Sequence, residues 1–495
     1  MPPKTGPLTE GPIGRTLLLF ALPILAGNVA QSLNGSVNAV WVGRFLGEAA
    51  LTATANANNI LFFLLGSVFG IGMASTILIA QAIGAGDTAQ ARRAMGSSAT
   101  FFIGLSVVIA VAGWILAPQL LAWMGTPPAS LAMARHYLRV IFLAMPVLYA
   151  FAFLSAALRG AGDARTPFRF LLLSVVLDIA FNPLLIFGVG PLPALGVPGA
   201  ALATLFAQAL SLAALLLYMR HKRHLLWLGR RELALLRPDP AIVRALVVKG
   251  VPMGLQMVLI SLSMIAMMSM VNAHGTHTAA AYGAAMQLWT YVQMPAMAIG
   301  AACSSMAAQN VGARRWDRVA ATTGYGVMFN FLLTGVLIAP LILLDRWTLT
   351  LFLPAASQAL EIARHLNHIA VWSFLFFGVT FVVSGVVRST GAVVPPLLIL
   401  AFALWGIRVP FASGMQAVIG TDALWWSFPI SAVCSMLMAL AYYRWGRWRR
   451  AHMLEPEPVA VAVPAEVPAT PPSPVADADA ALDAPAQPAP ATPQR

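Results

Sequence analysis

The sequence predicts an all-α membrane protein whose twelve transmembrane helices form two homologous six-helix lobes. Three observations predict this fold: an apolar composition, an internal repeat, and basic residues concentrated in alternate loops. The chain is 59% hydrophobic and only 9% charged, whereas soluble domains carry about 25% charged residues. A chain of this composition is expected to reside in a membrane.

A motif of the form Gln-x-x-Gly-Ala occurs twice, about 228 residues apart. It stands at 81–85 and 309–313, where each copy follows a long apolar run and precedes an acid and arginines. Nearly the same offset relates the two Arg-x-x-Gly motifs at 159–162 and 388–391. In a membrane chain, such self-similarity indicates two homologous bundles with a path between them.

Six apolar runs in the first repeat are each long enough to cross a bilayer, which takes about 20 mostly apolar residues. They lie at residues 16–40, 50–80, 94–117, 132–157, 168–190 and 195–219. The first run is too long for a cleavable signal peptide, and the repeat includes it. The second run ends at the first Gln-x-x-Gly-Ala motif and the fourth at the first Arg-x-x-Gly motif.

Six further runs follow in the second repeat. They lie at residues 245–272, 278–308, 319–344, 366–387, 391–418 and 423–443. The second and fourth of these runs end at the second copies of the same two motifs. An even number of spans in each repeat places both termini on one side of the membrane.

The formal net charge of +13 is distributed unevenly between the two sides. If the N-terminus is inside, all but six of the 30 lysines and arginines fall in inside loops and tails. The six on the outside are Arg44, Arg135, Arg139, Arg346, Arg364 and Arg408. This is the positive-inside pattern, so the charge indicates topology rather than nucleic-acid binding and predicts a plasma (inner) membrane protein with cytoplasmic termini.

The predicted organisation has five parts. A cytoplasmic N-terminus (1–15) precedes an N-lobe (16–219), a cytoplasmic linker (220–244), a C-lobe (245–443), and a basic, then Ala/Pro-rich and disordered, cytoplasmic tail (444–495). The two cysteines, Cys303 and Cys434, lie in apolar runs and are expected to be free thiols.

One carboxylate, Asp178, lies within a predicted span, while the other acids fall in loops, helix ends or the tail. A charge at a helix centre costs about 2.5–3.5 kcal/mol on insertion scales, so such residues usually face a bundle interior or a wet cavity. Asn182 lies one turn further on the same face, and Pro183 after it cannot donate a backbone N–H. This group can bind a proton or a small cation, or it can simply join helices by hydrogen bonds.

Amide and methionine side chains are frequent in the first, seventh and eighth runs. The candidates for a substrate cavity are Gln31, Asn34, Gln256, Gln287, Met257 and Met264. Polar residues often only join membrane helices, and methionines often only pack. If they converge on a cavity, however, amides and polarizable methionines would suit varied organic cations.

The sequence carries little that indicates catalysis or a bound cofactor. Glu361, His365 and His368 share one face and have side chains suited to zinc, but a fourth ligand is missing and we expect a solvated helix end. A phosphate-binding loop, a nucleophile elbow and paired catalytic carboxylates are also missing. An intramembrane enzyme is therefore the less favoured reading.

Several motifs together resemble the multidrug and toxic compound extrusion (MATE) family. They are residues 37–51 around Asn38, the two Gln-x-x-Gly-Ala motifs, Arg159-Gly160-x-Gly162-Asp163, Asn182-Pro183-Leu-Leu-Ile-Phe-Gly188 and Gly196-Val-x-Gly199-Ala200. The resemblance extends from about residue 12 to residue 450. It implies two six-helix lobes around a central cavity, and efflux of cationic or amphiphilic compounds driven by protons or sodium.

On this resemblance we expect a monomeric secondary transporter that exports organic cations and contains no cofactor. Many members carry Asp in the first helix where Asn38 stands, so Asp178, with Asn182 and Asn38, is the expected coupling site. A flippase of a lipid-linked precursor is the main alternative. It would require basic residues in the cavity, for which the sequence offers little beyond Arg408.

Overall fold

A computed structural model describes residues 7–454 except 124, 189–192 and 355. Within this part the chain is helical, with short connections and no strands. The first lobe consists of α1 (Ile13–Leu46), α2 (Glu48–Gly84), α3 (Thr88–Trp123), α4 (Pro128–Gly160), α5 (Arg165–Phe187) and α6 (Val197–His221). The predicted tail from residue 455 lies outside the described residues.

The second lobe starts with three long helices and continues in shorter segments. Its helices are α7 (Pro240–Asn272), α8 (Thr276–Gly312), α9 (Trp316–Leu343), α10 (Asp345–Leu349), α11 (Gln358–Ala370), α12 (Ser373–Arg388), α13 (Val394–Ala401), α14 (Val409–Gly414), α15 (Gln416–Ile419) and α16 (Asp422–Trp445). A π-helical stretch, Phe402–Arg408, joins α13 to α14.

Each of the twelve predicted runs corresponds to helix in the structure. In the described part of the chain, nine helices are long and apolar enough to cross a membrane, if α13, the π-helical stretch and α14 are counted as one continuous helix (Val394–Gly414). The pair α11 and α12 makes a tenth span, bent by 43°. The other two runs correspond to α2 and α8, which have 37 residues each. In α8, many Ala, Gly, Ser and Gln residues lower the mean hydropathy.

The linker between the lobes lies against α3. Arg92 forms an ion pair with Glu232 and donates through Nε to the carbonyl of Leu225 at 2.9 Å. Thr100 donates to the carbonyl of Leu236 at 2.6 Å. These contacts hold residues 222–239 beside the first lobe, and α7 then begins at Pro240, where the Asp239 side chain accepts from the Ala241 N–H.

The two lobes contact each other at one end of the molecule. The start of α1 packs against the second half of α8, with Leu17 and Phe20 in one apolar cluster with Cys303 and Met306. The second half of α2 packs against the first half of α7, with Gly70 next to Gly250 and Gly254. This end holds the loops in which the sequence concentrates arginine, so the lobes are closed on the side predicted to be cytoplasmic.

Candidate functional site

Asp178 of α5 lies inside the first lobe, where side chains from α1 and α6 converge on its carboxylate. Its side chain is 2% exposed. Oδ2 accepts from the Nδ2 atoms of Asn34 and Asn38 of α1 at 2.8 and 2.9 Å. Oδ1 accepts from Thr204 of α6 at 3.0 Å. Three donors therefore surround a single buried carboxylate.

Asn182 completes this group, one helical turn after Asp178. Its Nδ2 donates to Asn38 Oδ1 at 2.7 Å and to the backbone carbonyl of Asp178 at 2.8 Å. Asn38 is thus fixed in both directions, since its nitrogen faces Asp178 and its oxygen faces Asn182. We call Asp178, Asn34, Asn38, Asn182 and Thr204 the acidic cluster.

Two oxygen atoms of the acidic cluster have no hydrogen-bond partner although they are buried. They are Oδ1 of Asn34 and Oδ1 of Asn182. An unsatisfied buried acceptor costs about 1–3 kcal/mol, and a cation or proton in the cluster would provide what these oxygens lack. The cluster combines one carboxylate with free amide oxygens, which is a donor set suited to a small hard cation.

The second feature is a cleft where α2 meets the second lobe. Its walls are mostly apolar, and the larger side chains among them are Phe69, Met73, Met253, Met257, Met297 and Phe381. Four polar side chains also line it: Gln256, Thr380, Ser384 and Arg388.

Arg388 is the charged residue of this cleft. It is the last residue of α12 and is 7% exposed, and its Nη1 donates to Gln256 Oε1 at 2.6 Å. The Nε of Arg388 and the Nε2 of Gln256 are buried without a partner. Among the described residues, no carboxylate lies within ion-pair distance of Arg388. The cleft therefore holds donors in excess of acceptors.

The other predicted cavity residues occupy different environments. Gln256 and Met257 line the cleft and Asn34 belongs to the acidic cluster. Gln31 and Gln287 are exposed. Met264 is 40% exposed and lies outside the cleft lining. The candidates are thus divided between two separate places and the surface, and their role in binding substrate stays a prediction.

The repeated glutamines contact each other's lobe in a reciprocal pattern. Gln81 Nε2 donates to the carbonyl of Ser389 at 2.6 Å, and Gln309 Nε2 donates to the carbonyl of Gly160 at 2.9 Å. Each amide therefore reaches from a Gln-x-x-Gly-Ala motif to the Arg-x-x-Gly motif of the other lobe. Such an exchange of equivalent contacts is typical of a twofold relation. We call these two hydrogen bonds the amide latch.

Glycine permits this close approach of the lobes. A Cβ on Gly84 would overlap the carbonyl oxygen of Gln309, and a Cβ on Gly312 would overlap that of Gln81. The N-terminal segment adds to the closure, because Leu8 N donates to Gln309 Oε1 at 3.1 Å and Asn310 Nδ2 donates to the carbonyl of Leu8 at 3.2 Å.

At the opposite end of the second lobe, Glu361, His365 and His368 lie at an exposed helix end, as expected, and each has a polar partner. His365 Nε2 forms a hydrogen bond with Asp422 at 2.9 Å, and His368 Nε2 forms one with Asp345 at 3.0 Å. Arg364 also pairs with Asp345, at 2.8 Å through Nε. Burial raises the pKa of Asp345, but the hydrogen bonds from Arg364 and His368 outweigh it and hold that pKa below its ordinary value.

Arg388 and Thr204 are site residues that the sequence alone did not indicate. The positive-inside pattern assigned Arg388 to an inside loop. In the sequence, a buried arginine at a helix end looks the same as a solvated arginine in a loop. The repeat of the Arg-x-x-Gly motif within this chain was the available indication that Arg388 has a role. Thr204 is one of many hydroxyl residues in apolar runs, and its contact with Asp178 depends on how α5 packs against α6.

Comparison with known proteins gives the same outline. The family model described as MatE matches the chain twice, at residues 23–184 and 252–413, one match in each lobe. The chain is 36% identical over 434 residues to "Probable multidrug resistance protein YoeA" of Bacillus subtilis, covering 87% of this chain and 94% of that protein. It is 26% identical to an "FAD transporter" of Shewanella oneidensis, covering 88% of this chain and 95% of that protein.

A solved structure shares the fold. It is described as the outward-facing conformation of a multidrug resistance MATE family transporter of the MOP superfamily. The structures superpose with a TM-score of 0.81 at 20% identity, covering 90% of this chain and 98% of the other.

Proposed function

The chain belongs to the MatE family of multi-pass membrane transporters, and on this premise we propose that it exports amphiphilic organic compounds, including organic cations, in exchange for protons or sodium ions. A plasma (inner) membrane location with cytoplasmic termini is part of this proposal. The transporter is expected to act as a monomer, because the path lies between two lobes of one chain. No organic cofactor is required, since the ion gradient supplies the free energy.

The acidic cluster is the observation that carries the proposal. Asp178 combines a carboxylate with free oxygens of Asn34 and Asn182, in a lobe that holds no other buried carboxylate among its described residues. An ion-driven exporter needs a site whose occupancy differs between two conformations. A buried acid within a movable hydrogen-bond network meets this requirement.

Ion binding would rearrange the cluster in a defined way. Both amides now direct nitrogen toward Oδ2, so a proton on that oxygen would require one amide to turn its oxygen inward. Asn34 is the amide that can turn, because Asn38 is fixed by Asn182. A sodium ion would instead be bound by the carboxylate and the free amide oxygens. Either change acts on α1, α5 and α6 together.

The range of substrates is proposed from the relatives and the cleft. A 36% identical relative is named for multidrug resistance, and the methionine-rich cleft suits varied apolar bodies. The relative named as an FAD transporter would carry a molecule with a negatively charged diphosphate. The family name alone therefore does not restrict the substrate to cations.

A lipid-linked-precursor flippase is the second candidate. It requires a basic side chain in the cavity for an anionic head group, and Arg388 in the cleft is such a residue. Flippase activity would move a fluorescent anionic lipid between leaflets of proteoliposomes without net export of soluble compounds.

Transport by purified protein in proteoliposomes tests the proposal. Ethidium movement would be followed after imposing a proton gradient, a sodium gradient or neither. We expect movement against its own gradient with at least one ion gradient and none without. Equal movement under all three conditions would contradict ion-coupled export.

A further inference from the structure

We infer that the cleft between α2, α7, α8, α12 and α13 binds the anionic group of an amphiphile, with Arg388 as the anchoring cation. The inference rests on the proposed export function and names the chemistry of one part of its substrate. The anionic group is a carboxylate, sulfonate or phosphate, and its apolar body lies along the methionines.

Arg388 carries a buried charge that no carboxylate among the described residues balances. The side chain of Arg388 is only 7% exposed, yet its one side-chain hydrogen bond is to a neutral amide. A buried charge without a countercharge is costly. An anion from outside the described residues would remove this cost.

The free donors of Arg388 and Gln256 suit an anionic group. A guanidinium carries five N–H donors in a planar fork that matches the oxygens of carboxylate and phosphate groups. Gln256 adds a free Nε2 donor beside it. The two unpartnered nitrogens belong to side chains joined at 2.6 Å, so both free donors lie in the same part of the cleft.

The rest of the cleft lining carries no charge. Beside Arg388 and Gln256, the polar side chains of the lining are the neutral Thr380 and Ser384, and the remainder is apolar. Such a surface suits an apolar body and offers no countercharge for a cationic one. The ligand is therefore expected to have one acidic end and one apolar end.

A matched pair of probes tests the inference directly. Pyrenebutyrate and a pyrenebutyl-trimethylammonium ion share the apolar body and differ in charge. Their binding would be measured by isothermal titration calorimetry on full-length protein in neutral phosphatidylcholine nanodiscs, with empty nanodiscs subtracted. We expect Arg388→Gln to weaken pyrenebutyrate binding at least tenfold and to leave cation binding unchanged or stronger.

Two further variants keep the test decisive if Arg388→Gln fails to fold. Ser384→Asp places a carboxylate one helical turn from Arg388 and should abolish anion binding while the arginine remains. Arg408→Gln is the matched control, since that arginine lies over Phe428 at 4.6 Å and bonds to Ser431 outside the cleft. It should bind both probes like the wild type.

The outcomes separate the inference from the proposed function. Binding needs no gradient, so anion binding without coupled transport would contradict the function alone. Unchanged pyrenebutyrate affinity in Arg388→Gln or Ser384→Asp would overturn the inference whatever the transport result. Competition by nanodiscs containing phosphatidylglycerol would assign the anion to a lipid head group, whereas its absence would assign it to a free amphiphile.

Discussion

The side chains around Asp178 determine what this carboxylate can bind. Asn38 donates to Asp178 and accepts from Asn182, so it orders two polar groups of α5 at once. Asn34 donates to the same carboxylate oxygen but leaves its own oxygen free. The first amide is therefore a fixed element of the cluster and the second is the one that can respond to an ion.

Asn38→Leu should lower stability more than loss of an ordinary membrane-exposed amide. It removes a donor from Asp178 and leaves an Asn182 N–H without its acceptor, at about 1–3 kcal/mol for each group. Thermal unfolding in detergent, followed by tryptophan fluorescence, would measure the change. Asn272→Leu, at an exposed position at the end of α7, is the control. Equal melting temperatures for the two variants would contradict the ordering role of Asn38.

The ion pairs of Asp345 should make stability depend on pH. Because the folded-state pKa of Asp345 is lowered from its model-compound value of 3.8, its contribution is present above that value and is lost as the pH falls through the folded-state pKa. The melting temperature of the wild type should therefore exceed that of Asp345→Asn at pH 7. This difference should shrink as the pH is lowered below about 4. A difference that stays constant with pH would show that the carboxylate charge contributes nothing.

The candidate site could be predicted where local spacing carried the information. Asp178 and Asn182 lie four residues apart on one helix, as do Asn34 and Asn38, and the structure brings both pairs together. Thr204 and Arg388 could not be found in this way, since their environments depend on packing between helices distant in sequence. An arginine beside a loop has the same sequence pattern whether it is solvated or buried.

At the scale of elements, the amide latch explains why the repeated motifs combine glutamine with glycine. The glutamine reaches the other lobe, and the glycine three residues later lets its backbone approach. The repeat is visible in the sequence but this role is not, because each contact joins residues in different lobes. The break between α11 and α12 and the π-helical stretch were also missed, since an apolar run continues through both.

Gly84→Ala should open the latched end of the molecule. The added Cβ overlaps the Gln309 carbonyl, so the lobes must separate or tilt. Spin labels on Ala89 and Ala320, both exposed next to the two motifs, would report their separation by pulsed electron paramagnetic resonance. We expect longer or broader distances than in the parent. Gly104→Ala, where a Cβ would meet nothing within 4 Å, should leave the distances unchanged, and an unchanged distribution in Gly84→Ala would contradict the role of the latch.

At the scale of the whole molecule, the lobes are joined at the end that carries the arginine-rich loops. The N-terminal segment and both copies of the two motifs meet there. The twelve predicted runs form two bundles of six. The two family matches, which begin at Pro23 and Pro252, correspond to the same two bundles. An even number of spans per lobe explains why this end gathers the N-terminus and alternate loops.

The topology predicts that both ends of the chain lie in the cytoplasm. Green fluorescent protein fused to either terminus should fluoresce, and alkaline phosphatase fused there should be inactive, because each reporter works on one side of the membrane. Alkaline phosphatase inserted after Ala273, between α7 and α8, is the control and should be active. Active phosphatase at either terminus would contradict the proposed orientation.

Ion-driven uptake by inverted vesicles tests the role of Asp178 most directly. Vesicles carrying wild type, Asp178→Asn, Asp178→Glu or Glu361→Gln would receive first a pH jump and then a sodium jump. Glu361 is the matched control because its carboxylate is exposed. We expect Asp178→Asn to lose gradient-driven uptake while still binding substrate, Asp178→Glu to keep part of it, and Glu361→Gln to behave like wild type. Uptake by Asp178→Asn equal to the wild type after both jumps would contradict the account, since Asp178 would then only join helices.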